Sequence, residues 1–261
     1  MIPERKIQGL SLKVGPLGEN DRLITILSDQ EGITRLAVPG ARRPKSRLAA
    51  ATPLSLIEAQ VVGRRGLARI KQLKIIHNFN AVGQKIETLA AAQALSELSL
   101  MLVSSNDPIP GLLSTVLMHL KRLEVEGREV NKDQCLILAI IVQACIHLLA
   151  IGGYGIPLQR CCKEDLPLDP PIGNWEWKCS LIPDEGFAIG SFENSTVKLN
   201  PSELALLQRL VKSELPFGKD GKLMGPKNVW LRLLAVIDFW IATNLPKNIH
   251  SLAMLREVVI T

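Results

Sequence analysis

The sequence predicts an α+β chain in two parts: a small N-terminal β-barrel, then a mainly α-helical domain carrying a small irregular, hairpin-bearing insertion. Three observations predict it. Residues 5 to 77 are short apolar runs punctuated by turn signals. From Gln84 onward the apolar residues recur with a helical period. The charge divides at the same place: residues 1–80 hold fourteen basic and six acidic side chains, net plus eight, while the whole chain is six positive, leaving 81–261 at net minus two. The expected domains are therefore 1–80 and 81–261, with the insertion at about 154–198.

Five strands are expected in the first part. Lys6 to Val14 is the first, and Gly15 to Asp21 supplies a turn into Arg22 to Ser28. Asp29-Gln30-Glu31-Gly32 turns into Ile33 to Val38. Thr52 to Val62 is the fourth, with Pro53 acceptable only at its start or on an edge. Gly63-Arg64-Arg65-Gly66 makes a tight turn into Leu67 to Ile76, where alternation puts Arg69 and Lys71 on one face. Five short strands in about seventy residues match the count and length of an OB-fold.

Between the third and fourth strands, the glycine-started loop Gly40 to Arg47 carries four cations in six positions: Arg42, Arg43, Lys45 and Arg47. With Arg35, Arg64, Arg65, Arg69, Lys71 and Lys74, ten basic residues face one acid, Glu58, between positions 35 and 74. Such concentrated charge attracts a polyanion and releases its counterions on contact, so nucleic acid is the partner it predicts. Residues 1–78 contain no Phe, Trp or Tyr. OB modules that grip single strands tightly stack bases on aromatic rings, so here phosphates must supply most of the binding energy. Weak base preference and steep salt sensitivity follow, and duplex is expected to bind as well as single strand.

In the second part, Ala91, Ala94, Leu95, Leu98, Met101 and Leu102 form one apolar stripe, and Asn106 to Pro110 breaks that helix. A second helix begins near Gly111, with Leu113, Val116, Leu117 and Leu120 on its face. A third, about Lys132 to Ile151, is apolar almost all round and belongs at the centre of the helical domain, with Gly152-Gly153 as its stop. Only Gln143 and His147 interrupt its apolar run from Cys135. At seventeen residues that run is shorter than the ~20 a membrane span needs, and it reads as a buried helix. Four prolines between 157 and 171, then Trp175 and Trp177, mark a loop and small hairpin. Asn200-Pro201-Ser202-Glu203 restarts helix with a cap, a proline and a returning glutamate. Pro226 opens another helix lined by Trp230, Leu233, Leu234, Ile237 and Ile241, and roughly Ser251 to Val259 closes the chain.

Enzymatic chemistry has no visible site. The phosphate loop of nucleotide hydrolases and the Gly-x-Gly-x-x-Gly turn are both missing from the sequence. His77, His119, His147 and His250 are scattered, and the carboxylates do not cluster as a two-metal nuclease needs. Cys161, Cys162 and Cys179 fall in the irregular segment, where a zinc ribbon would sit, but zinc wants four ligands and Glu164 or Asp165 would have to serve as one. No cofactor is expected. Cys135 and Cys145 read as small core residues. Five cysteines, an odd number, fit a reducing compartment, and Met1 to Lys13 lacks the apolar run of a signal peptide; a cytoplasmic protein is expected.

Gly18 to Thr25 (GENDRLIT), Glu31-Gly32, Gly40 to Arg47 (GARRPKSR) and Gly66-Leu67-Ala68-Arg69 resemble, in order and spacing, the N-terminal region of the bacterial RecO family of recombination mediators. Gly153 to Leu158 before Cys161, and Ile249 to Leu252, are similar to later parts of that family. The resemblance implies an OB-fold followed by a helical domain. It also implies binding to single- and double-stranded DNA, strand annealing, and help in loading a RecA-type recombinase onto strands coated by single-strand-binding protein, in the nucleoid. The partners it implies are RecR and the acidic C-terminal tail of the single-strand-binding protein. DNA contact carries over to Arg42, Arg43, Lys45 and Arg47, with Arg35, Arg64, Arg65, Arg69 and Lys71 as neighbours by charge. Leu17 stands where members often carry an aromatic, and Glu164 stands where the four-cysteine members have a zinc ligand. The rival reading is an RNA-binding OB module of translation or RNA processing.

Overall fold

The computed structural model describes residues 4–260, except 45, 47, 49–51, 64–66, 106, 131–132, 194 and 196. Alternating side chains build the first five strands: β1 (Glu4–Leu17), β2 (Asp21–Ser28), β3 (Gly32–Val38), β4 (Ser55–Val62) and β5 (Leu67–Asn78). They close in the order β1-β2-β3-β5-β4, with β3 and β5 parallel and the other pairs antiparallel, which is the OB-fold. The long β1 serves two neighbours. Glu4 to Leu10 pairs with β4, and Leu10 to Leu17 pairs with β2 after a register shift between Ser11 and Lys13. The inward row of Ile7, Ile24, Ile26, Leu36, Val38, Ile57, Ala59, Val61, Ala68 and Ile70 forms the barrel core. β1 runs through Gly15-Pro16 to Leu17, so the turn is only Gly18 to Asn20. Pairing with Leu23 and Arg22 holds Gly15 and Pro16 in the strand despite their turn propensity.

By contacts the chain forms two units, Met1–Glu129 and Val130–Thr261. The first adds to the barrel a 3-10 turn (Asn80–Gln84), α1 (Ile86–Leu102) and α2 (Leu112–Arg128). His77 at the end of β5 meets the Glu124 carboxylate of α2 at 2.9 Å, and Arg128 donates to the other Glu124 oxygen at 2.8 Å.

The second unit is built on α3 (Gln134–Ile151), with α4 (Pro201–Arg209), α5 (Lys227–Asn244) and α6 (His250–Ile260). The mean hydropathy of α3 is 2.3, enough with its 18 residues to cross a bilayer by composition, but two-thirds of the helix is buried inside the protein. Its polar interruptions explain themselves. Gln143 donates to the carbonyls of Lys212 and Glu214 at 2.8 and 3.1 Å, and His147 lies 2.9 Å from the Leu210 carbonyl. Both satisfy backbone groups beyond the end of α4, as buried polar atoms must. The insertion holds a three-stranded sheet, β7-β6-β8, from β6 (Cys179–Ile182), β7 (Gly186–Ile189) and β8 (Val197–Leu199). The sequence reading expected only a hairpin. β8 is three residues long, too short for alternation to show, and it forms because β6 offers an open edge.

Candidate nucleic-acid interface

β3 delivers the chain to the basic loop through Pro39, and Gly40 then turns it in the left-handed region, at φ +63°. The Gly40 N–H donates to Asp21 Oδ1 at 2.7 Å and the Arg42 N–H to the Asn20 carbonyl at 2.9 Å. The Arg42 guanidinium donates to the Gly18 carbonyl at 3.0 Å. The β1–β2 turn thus holds the loop, which gives a physical reason for Gly18 to Asp21 and Gly40 to Arg43 to occur together. Ala41 is buried in the barrel core. That anchor turns its neighbours Arg42 and Arg43 outward, and both are exposed. Leu48 packs against the same core, so the segment is pinned on both sides of its charged part. Lys45 and Arg47, with Arg64 and Arg65 of the β4–β5 turn, lie outside the described residues.

A second group of cations stands on the strands. Leu36 and Ala68 pair and point inward, so Arg35 on β3 and Arg69 on β5 point outward, and both are exposed. In the parallel register Arg35 sits beside Leu67 and Ala37 beside Arg69, putting the arginines two residues apart on adjacent strands. Strand geometry separates their Cα atoms by roughly 8 Å. Lys71 is also exposed, but its ammonium lies 3.1 Å from Glu4, and Lys6 is paired with Glu58 at 2.9 Å. Among the described residues Arg35, Arg42, Arg43 and Arg69 make no ion pair.

The two groups meet the same connecting segment. A groove of about 600 Å³ is lined by Pro39 and Leu48 together with Val62, Gly63, Arg69, Ile70 and Lys71. A second hollow of about 450 Å³ lies between Arg22 and Arg42 over Val14, Gly15 and Pro16, with Thr52 and Pro53 on its edge. Apolar walls lower the local dielectric beside the guanidinium groups, which strengthens their pull on an approaching phosphate. Sequence reasoning missed the residues that place these cations. Asp21 and Ala41 are two of them. Arg5 is a third: it spans Glu31 at 2.6 Å and the Gly63 carbonyl at 2.7 Å, fixing the start of the β4–β5 turn. The only available signal was that Asp21 and Ala41 fall inside the two stretches that carry the family resemblance.

Among the described residues no three His, Cys, Asp or Glu side chains converge as a metal requires. Burial pushes the Cys179 thiol up to about 12. Glu164 is exposed. Lys163 and Arg160 meet Glu185 and Asp165 at 2.7 and 2.6 Å, so local carboxylates serve ion pairs.

Comparison with known proteins bears on the whole chain. The family model described as Recombination protein O N terminal matches residues 1–79, and the one described as Recombination protein O C terminal matches residues 83–253. The chain is 64% identical over 261 residues to DNA repair protein RecO of Prochlorococcus marinus (strain MIT 9303), spanning all of this chain and 98% of that protein. It is 58% identical over 272 residues to DNA repair protein RecO of Synechococcus sp. (strain CC9311), covering 99% of each. It is 30% identical over 230 residues to DNA repair protein RecO of Trichodesmium erythraeum (strain IMS101), covering 80% of each.

Proposed function

The chain belongs to the RecO family of DNA repair proteins, and from that premise we propose that it binds single- and double-stranded DNA on its basic barrel and anneals complementary strands. In this reading it also helps load a RecA-type recombinase onto strands coated by single-strand-binding protein, with RecR and the acidic tail of that protein as partners. One observation carries it: four exposed guanidinium groups that make no ion pair among the described residues, Arg35, Arg42, Arg43 and Arg69, stand on a barrel whose sequence up to residue 78 has no Phe, Trp or Tyr. Such a surface neutralises phosphates and leaves bases alone. Two strands held this way lose their mutual repulsion, and base pairing at ~1.4 kcal/mol per step drives the rest without nucleotide hydrolysis. No catalytic residue and no cofactor enter this scheme.

The test is annealing of complementary labelled oligonucleotides by the wild type and by R35A/R42A/R43A/R69A, with affinities for single-stranded DNA, duplex and folded RNA at two salt concentrations. The wild type should speed annealing and the variant should not. Equal annealing by both would remove the site. A strong preference for folded RNA would favour the RNA-binding reading, and cleavage products in magnesium or manganese would reveal a nuclease.

A further inference from the structure

The register of the parallel strand pair gathers four outward side chains into one small cell. Arg35 on β3 stands beside Leu67 on β5, and Ala37 stands beside Arg69. Leu36 and Ala68, the pair between them, point into the barrel core, so the four corners share the outer face. The arginines hold one diagonal of the cell and the apolar side chains hold the other. A single exposed leucine needs no explanation of its own. Leu67 is 56% exposed between two arginines that make no ion pair among the described residues, and that placement does.

The pattern continues onto β2. Antiparallel pairing sets Leu23 beside Ala37 and Thr25 beside Arg35, and Leu23, Thr25 and Ala37 are all half-buried. Leu23, Ala37 and Leu67 therefore run as an apolar track across β2, β3 and β5, with Arg35 on one side and Arg69 on the other. None of these positions is acidic.

A nucleic-acid backbone alternates the same two chemistries. Each sugar lies between two phosphates, so a strand with successive phosphates on Arg35 and Arg69 sets the intervening sugar over the cell, against Leu67 and Ala37. There the 2′ position decides. Deoxyribose offers only C–H groups to the leucine methyls. Ribose offers a hydroxyl, both donor and acceptor, which would give up water and find no partner on the apolar diagonal. A polar group taken out of water without a hydrogen bond costs free energy.

We propose that Leu67, with Ala37, is a specificity-determining contact of the strand-binding face, selecting deoxyribose over ribose in a single strand whose phosphates sit on Arg35 and Arg69. The inference rests on the DNA-binding reading above and deepens it, because the selection is made at the sugar and leaves the bases unread. A barrel with no Phe, Trp or Tyr up to residue 78 thereby gains a means of telling DNA from RNA.

The experiment measures fluorescence anisotropy of the full chain with labelled homo-oligomers of deoxyuridine and of uridine, equal in length, which differ only at the 2′ position. The wild type should hold the deoxyuridine oligomer about fivefold tighter. Leu67→Ser places a hydroxyl partner in the cell and should bring the two affinities within about twofold, whereas Leu67→Met should keep the preference. In both variants the salt slope should match the wild type, because Arg35 and Arg69 remain. Their melting temperatures should also match, since the side chain is largely outside the core. Equal wild-type affinity for the two oligomers would overturn the inference, as would a preference that survives in Leu67→Ser. Equal weakening of both oligomers by Leu67→Ser would place the leucine against the bases and overturn it too. A wild type that binds neither oligomer would instead remove the DNA-binding reading, and this inference with it.

Discussion

The electrostatic account yields a number that can be checked. If Arg35, Arg42, Arg43 and Arg69 each neutralise one phosphate of a single strand, each contributes about −0.7 to the slope of log affinity against log salt. Raising salt fourfold, from ~50 to ~200 mM, then weakens binding by about 2.6-fold per contact and about fiftyfold for the four. Fluorescence anisotropy with a labelled oligonucleotide, run across that range, should show the R35A/R42A/R43A/R69A slope shallower than wild type by about 2.8. A control comes from the structure. Lys71 is engaged by Glu4 at 3.1 Å, so E4A/K71A deletes a pair that is already neutral and should leave the slope nearly unchanged. A quadruple variant with the wild-type slope would refute the reasoning, because exposed cations without ion pairs that bind phosphate must release counterions. So would an E4A/K71A slope as shallow as the quadruple's.

Other outcomes follow from local chemistry. Asp21→Ala removes the acceptor of the Gly40 N–H and should cost about 1 kcal/mol in urea denaturation, with DNA affinity reduced as the loop loses its tether. Gly127→Ala sets helix propensity, which favours alanine by ~1 kcal/mol, against a Cβ that would lie 2.2 Å from the Ala81 carbonyl oxygen. The clash wins, with a net loss of about 2 kcal/mol, whereas Gly83→Ala, with nothing within 4 Å, should be nearly neutral. Burial pushes the thiols of Cys145 and Cys179 up to about 12. Raised thiols retain protons in the folded state, so their stabilisation is complete below pH ~9 and is lost as pH climbs from ~9 to ~12, at up to ~1.4 kcal/mol per pH unit each. Denaturation at pH 8 and pH 10.5 should show this decline, smaller in Cys145→Ala than in wild type. Metal analysis of the purified protein should find no stoichiometric zinc, and a chelator should leave its melting temperature unchanged.

Local signals made most of the fold readable. Alternation in Leu67 to Ile76 put Arg69 and Lys71 on one face, which the structure shows to be exposed, because a two-residue period needs no knowledge of the partner strand. The start of α4 was equally legible. Asn200 Oδ1 accepts from the Glu203 N–H at 2.9 Å and the Glu203 carboxylate returns to the Asn200 N–H at 3.0 Å, all within four residues. What stayed hidden are contacts between distant positions. The tether of Gly40 to Asp21 spans nineteen residues, the Lys71–Glu4 pair sixty-seven, and Arg5 reaches fifty-eight residues to Gly63. Nothing in the local pattern distinguishes a paired lysine from an unpaired arginine, so charge alone put Lys71 and Arg69 in one class. Fixing the backbone of the basic loop likewise depends on Ala41, whose small apolar side chain carries no signal until the barrel closes around it.

The missing rings bear on mechanism as well as on affinity. An aromatic that stacks a base contributes ~1 to 3 kcal/mol, which matches or exceeds the ~1.4 kcal/mol of one base-pair step. A barrel that gripped strands through their bases would therefore have to surrender its own binding energy at each step before pairing could proceed. Arginines on phosphates carry no such conflict, since the backbone stays in contact while the bases turn toward each other. The barrel presents guanidinium groups and, up to residue 78, no Phe, Trp or Tyr on which a base could be held.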